Sequence, residues 1–230
     1  MFFATVSAAL AMAQPQTGTF SLIPRVGVSI AKLSGDAIFA ASSTADAVEF
    51  KSRYKAGFVG GVDADYQVAR QMSVSLGAFY SQQGSRYGND KATLEINGKE
   101  YKNLGFSSMR SQLAYIDIPL MLNLYVTPNF AFKAGVQLGI NLSGKMKYTE
   151  TPYTVNADGE VTYEKPTDTE IDLKCKSTTF SIPVGVSYEY ENVVIDARYC
   201  IGLTGTTDIP LMKSPKNSVI ECTVGYRFAL

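Results

Sequence analysis

Strict two-residue alternation, repeated in eight segments, constrains this chain more than any other feature. Residues 115–144 show it best. Ile116, Ile118, Leu120, Leu122, Leu124 and Val126 are apolar, and after Thr127-Pro128-Asn129 the pattern resumes with Phe130, Phe132, Ala134, Val136, Leu138, Ile140 and Leu142. Between them stand Asp117, Asn123, Lys133, Gln137 and Asn141. Successive side chains of a strand point to opposite faces, so this spacing predicts strands with one oily and one polar face.

The same period runs through 20–31, 54–68, 72–83, 178–190, 193–204 and 217–228. Together these predict eight strands of about a dozen residues and an all-β chain. The links near 69–71, 127–129 and 191–192 are tight, whereas 32–53, 84–110, 144–177 and 205–216 are long. Short turns therefore gather at one end and long loops at the other. An antiparallel up-and-down meander with an even strand number closes into a barrel and loses its edges. Two stretches inside the long links carry hairpin signals: 93–101 around Asn97-Gly98, and 153–163 around Asp158-Gly159. Both are expected as strands projecting past the barrel wall.

A soluble barrel of the lipocalin kind hides its apolar side chains, whereas a membrane barrel turns them outward. Three features favour the membrane. The polar face is small and glycine-rich. Its charges are balanced, with Arg25, Lys55, Lys133, Arg198 and Arg227 against Asp63, Asp65, Asp117, Glu189, Asp196 and Glu221. Buried charges are tolerated when they are paired and hydrogen-bonded, so these eleven residues are expected to form a polar network in the lumen. Third, the apolar face is almost uninterrupted and has Tyr and Phe near strand ends, as in the aromatic girdles of membrane barrels. Each segment is long enough for a tilted strand to cross a bilayer. The expected location is the cell outer membrane, with lipid as the first partner.

The start reads MFFATVSAALAMAQPQ, an apolar run followed by Ala11-Met12-Ala13, which matches an export signal with an A-x-A cleavage site. Basic residues are missing from its beginning, so the signal peptide is read as 1–13 with a start truncated or misplaced. Residues 14–19 would form a short periplasmic segment and 20–230 the barrel domain. No later stretch approaches 18 consecutive apolar residues, the length of a spanning helix.

Formal net charge is zero, and no basic stripe suited to phosphate backbones occurs, so no nucleic-acid partner is expected. The chain has no histidine, which removes Ser-His-Asp and Cys-His chemistry and the commonest transition-metal ligand. Asp63 and Asp65, and likewise Asp196 and Arg198, project to one side of their strands, and charge balance in the lumen accounts for them. Glu150, Asp158, Glu160, Lys165 and Glu170 in the 144–177 link do not match an EF-hand and read as a solvated loop. No catalytic, cofactor-binding or metal site is expected. The three cysteines, Cys175, Cys200 and Cys222, lack CxxC spacing, and Cys200 and Cys222 fall on opposite faces of neighbouring strands, so they should not pair.

Pro119 and Pro183 fall in mid-strand, where proline removes a ladder hydrogen bond; bulges or kinks are predicted at Ile118-Pro119 and Ile182-Pro183.

Tyr115-Ile116-Asp117-Ile118-Pro119-Leu120, Phe132 through Gly139, Ile195-Asp196-Ala197-Arg198-Tyr199 with Gly202-Leu203-Thr204, and Val224-Gly225-Tyr226-Arg227-Phe228 resemble, in order and spacing, the PorT-like outer-membrane β-barrel family (outer membrane protein beta-barrel domain). The similarity spans about residues 20–228. It implies an eight-stranded barrel of Gram-negative bacteria with both termini in the periplasm, and for some members a place in protein secretion or gliding machinery. It also implies an encounter with the outer-membrane insertion machinery, which reads a terminal aromatic residue. Here Ala229-Leu230 follow Phe228, so Phe228 is the residue expected to serve as assembly signal.

Overall fold

A computed structural model describes residues 16–34, 37–39, 48–88, 90–94, 102–156, 158–207 and 214–230. The expected signal peptide and the Asn97-Gly98 turn lie outside the described residues. Eight long antiparallel strands form a ring: β1 (Phe20–Leu33), β2 (Lys55–Ala69), β3 (Met72–Gln83), β4 (Lys102–Tyr125), β5 (Phe130–Val155), β6 (Thr178–Tyr190), β7 (Val193–Gly205) and β8 (Lys216–Tyr226). Each pairs with its neighbours in sequence, and β8 returns to β1 through pairs such as Ile30↔Ile220.

The ring is staggered. From Ile30 the register runs through Ile220, Tyr199, Val184, Ala134, Leu122, Val74 and Tyr66 and arrives back on β1 at Phe20, not at Ile30. Such a shear tilts the strands, and eight strands leave an interior that side chains can fill.

Alternation decides which side chains enter it. Val26, Leu76, Val136, Phe180 and Ile195 are exposed on the outside, while Arg25, Ser75, Gln137 and Asp196 are buried inside. The interior is polar and the wall apolar, the reverse of a soluble lipocalin. Cys200 is buried and Cys222 exposed, and neither forms a disulfide.

The tight turns occur where the composition places them. Glu191 and Asn192 both have positive φ (46° and 67°), the two-residue turn whose twist matches its flanking strands. After β4, the Val126 N–H donates to the Phe130 carbonyl at 3.1 Å, and Thr127 Oγ1 accepts from the Phe130 N–H at 3.0 Å.

At the opposite end much of what reads as loop is sheet. β4 and β5 continue far past the wall as one hairpin, paired as far as Tyr153↔Asn103. Strand Asp90–Leu94 joins its β4 edge, and Val161–Tyr163 and Thr167–Asp172 join its β5 edge. Glu150 and Glu170 therefore sit in strands, not in a solvated loop; alternating Thr, Tyr and charged residues suffice for pairing once a neighbouring edge is available.

The prolines are accommodated differently from the sequence expectation. Pairing is continuous from Ile182↔Ile201 through Pro183↔Cys200, and from Leu138↔Ile118 through Gln137↔Pro119. On each proline's other side the ladder skips two pairs without any change of register, between Leu76↔Leu120 and Phe79↔Asp117, and between Ala134↔Val184 and Gln137↔Ser181. A missing N–H is missing toward one neighbour only, so the flanking bonds hold the register and no extra residue is inserted. Both prolines are buried in the lumen, and by register a glycine faces each across the gap: Gly77 opposite Pro119 and Gly135 opposite Pro183. Register shifts between β4 and β5 fall elsewhere, at Asn141/Ser143 and at Lys147/Thr149, the latter beside Ser108 with φ 55°.

Candidate functional site: the polar lumen

The inward positions form tiers along the barrel axis. Nearest the short turns, Arg227 reaches Glu189 (Nε–Oε1 2.9 Å) and Asp65 (Nη1–Oδ1 3.0 Å), and its Nη2 donates to Tyr125 Oη at 3.3 Å. Asp65 Oδ2 also accepts from Ser73 Oγ at 2.8 Å and Asn123 Nδ2 at 3.0 Å.

The middle tier is organised by Asp196. Its Oδ2 accepts from Lys133 Nζ at 2.5 Å and Arg25 Nη1 at 2.8 Å, and its Oδ1 from Arg198 Nε at 2.6 Å. Asp63 pairs with Arg25 and, at 3.1 Å, with Arg198 Nη2. Both guanidinium groups lie over Phe79, 5.1 Å and 5.5 Å from the ring centroid. Glu221 is buried and stands opposite Arg198 in the β7–β8 ladder.

Above this the lumen is held by amides. Gln83 Nε2 donates to Asp117 Oδ2 at 2.8 Å and to Ser81 Oγ at 3.0 Å, and Asn217 Nδ2 donates to Gln83 Oε1. A cavity of about 20 Å³ remains here, bordered by Gln83, Asp117, Gln137, Cys200 and Asn217. That volume suits about one water molecule. Among the residues whose side chains are described, no lysine or arginine forms an ion pair with Asp117. Lys55 also stands apart from the two charged tiers, donating from the rim to the Gln83 carbonyl at 3.0 Å.

An apolar cap lies at the long-loop end. Leu33, Leu113 and Tyr115 point inward, and Leu173 and Cys175 fold back onto them. The returning segment is fixed by backbone bonds from Leu173 N to Gly144 O (2.9 Å) and Lys176 N to Thr206 O (3.0 Å) and by a bridge between Cys175 and Thr207. Beside it, Ser52 Oγ donates to Ser85 Oγ at 2.9 Å, and the Ser85 N–H donates to Ser111 Oγ at 2.8 Å.

Of the eleven charged residues singled out in the sequence, the fold therefore brings Arg25, Asp63, Lys133, Asp196 and Arg198 into one cluster and Asp65, Glu189 and Arg227 into another. Phe228 is on the outer face, paired through its backbone with Leu22, its ring 4.9 Å from that of Tyr226. Sequence reasoning missed Phe79, Tyr115 and Tyr125, although each breaks the alternation by placing an aromatic ring at a polar-face position.

The model of the outer membrane protein beta-barrel domain family matches residues 12–208. The chain belongs to this family. A family barrel with an apolar outer wall is an integral protein of the outer membrane, surrounded by its lipid. No curated protein matches the chain. Similar solved structures include Ail, the attachment invasion locus protein of Yersinia pestis, at 14% identity over 93% of this chain and 100% of that one, with a TM-score of 0.41. Neisserial surface protein A matches at 16% identity over 91% and 97%, with a TM-score of 0.43. The outer membrane protease OmpT from Escherichia coli matches at 11% identity over 95% and 100%, with a TM-score of 0.46. Likeness at this level says nothing about activity.

Proposed function

We propose that this outer-membrane barrel is a closed, non-enzymatic scaffold whose long-loop end presents the β4–β5 sheet extension at the cell surface. The observation that carries the reading is the lumen itself. Asp63, Asp65, Glu189 and Asp196 are engaged by arginine or lysine and Asp117 by the Gln83 amide, and the Leu33–Leu113–Tyr115 cap, with Leu173 and Cys175, stands across the exit. Side chains committed to one another in this way stabilise a wall and do not present a reactive group to a substrate.

Two measurements test it. In planar bilayers the refolded protein should give no large, steady openings; such openings would refute closure. On intact cells, a membrane-impermeant thiol reagent should label Asp158→Cys and not Asn129→Cys. The reverse pattern would refute the orientation.

The PorT-like motifs support a narrower reading, in which the scaffold is one component of a secretion or gliding apparatus. Pull-down from detergent-solubilised membranes should then recover stable machinery partners, and recovery of a solitary barrel counts against it.

A further inference from the structure

Just beyond the apolar band, the outer face carries cations in register. Arg53 of the short strand Ser52–Arg53 pairs with Arg86 of the strand Arg86–Tyr87, Arg86 with Arg110 of β4, and Arg110 with Lys147 of β5. Four positive residues thus stand directly opposite one another on adjacent strands. Their direction is fixed by their neighbours, because Ser52, Ser85 and Ser111 are buried and hydrogen-bonded on the inner side. Arg53, Arg86 and Arg110 are exposed.

Among the residues whose side chains are described, only the far end of the row is neutralised. Glu170 binds Lys147 at 2.5 Å and Lys145 at 2.6 Å. Among the residues whose side chains are described, no carboxylate forms an ion pair with any of the three arginines. Like charges directly opposite on paired strands destabilise the pairing. An anion lying along the row would remove that repulsion.

The height of the row identifies the anion. Arg53 adjoins Tyr54, an exposed aromatic with Lys32 Nζ 5.7 Å from its ring centroid, a pairing suited to a membrane interface. The other members lie beyond Tyr80, Ala114 and Leu142, outward residues toward the upper edge of the apolar wall on β3, β4 and β5. From the rise and tilt of membrane strands, the row stands roughly 5–15 Å above the hydrocarbon. That is headgroup level, on a surface continuous with the lipid-facing wall. Guanidinium groups bind phosphate oxygens bidentately, and strands about 4.8 Å apart let adjacent arginines share one multiply charged headgroup.

We propose that Arg53, Arg86 and Arg110 form a binding site for phosphate-bearing lipid headgroups in the leaflet around the long-loop end. The site rests on the orientation proposed above only for which leaflet supplies the lipid.

The test uses the full barrel in neutral detergent, titrated with fluorescently labelled bis-phosphorylated lipid A. Saturable binding that weakens with added salt is expected. The variant R53Q/R86Q/R110Q should bind at least about tenfold more weakly, and so should dephosphorylated lipid A with the unaltered protein. Lys174→Gln/Lys176→Gln, which removes two exposed charges elsewhere on the rim, should leave binding unchanged. Heat-modifiable gel mobility establishes folding of each variant, and Arg86→Gln alone carries the comparison if the triple variant fails to fold. Equal binding by the arginine variants, equal binding of the dephosphorylated lipid, or binding of a soluble sulfated polysaccharide in place of lipid A overturns the proposal. Because the assay is indifferent to sidedness, failure of the surface-labelling experiment would reassign the leaflet and leave this result standing.

Discussion

Arg25 and Arg198 stack on the same Phe79 ring although both are cations. The arrangement depends on Asp196, which accepts from both and from Lys133. Asp196→Asn removes the shared counter-charge, leaving Arg25 and Arg198 with Asp63 and Lys133 with no carboxylate partner among the described residues, so destabilisation of about 3–5 kcal/mol is expected. Guanidinium unfolding from phospholipid vesicles, followed by tyrosine fluorescence and gel mobility, reports it as a lower midpoint. An unchanged midpoint would show that the tier contributes nothing to stability.

Gly77 is the space into which Pro119 fits. A Cβ at residue 77 would approach the Pro119 Cγ to 3.1 Å and Phe79 Cε2 to 2.6 Å, and would also meet Asp63 Oδ1. Gly77→Ala should cost about 1–3 kcal/mol by overpacking. The same unfolding assay measures it, and the substitution should leave the lipid-facing wall unaltered.

The outer sheet should respond to acid. Hydrogen bonds from Lys145 and Lys147 hold the Glu170 carboxyl down at about 2, against an ordinary 4.5. A depressed carboxyl supports the fold above its unfolded value and loses that support as pH falls toward the folded one. Hydrogen exchange across Thr167–Asp172 should therefore quicken as pH drops from about 4.5 to about 2, relative to the intrinsic rate. Glu170→Gln should abolish the dependence. The group is exposed, so the effect is small and shrinks in salt.

Phe228 is proposed to act in assembly more than in packing. Its ring is exposed on the outer wall beside Tyr226. Phe228→Ala should lower the heat-modifiable, membrane-inserted fraction in cells several-fold, while refolding in detergent stays near normal. Equal insertion in cells removes the role.

Alternation alone suffices to place all eight strands and to sort their faces, because a side-chain period of two tells inward from outward without knowledge of any partner. Partners are another matter. Arg198 meets Asp63 across 135 positions of chain, and Arg227 meets Asp65 across 162, through a shear that single-strand patterns do not encode. The cap is invisible for a related reason: Leu173 and Cys175 reach the mouth only because the chain folds back along β5. A local rule predicts bulges at the prolines, and a skipped pair beside glycine satisfies that rule with less rearrangement.

The β4–β5 hairpin has a mechanical consequence. Its ladder runs from the short-turn end of the wall to Tyr153↔Asn103 with only two register shifts. The projecting part is therefore a stiff mast rooted in the barrel, unlike a tether. Anything that grips its tip pulls along hydrogen bonds shared with the bilayer-embedded wall, and the tip's distance from the membrane is set by strand length rather than by the wandering of a loop.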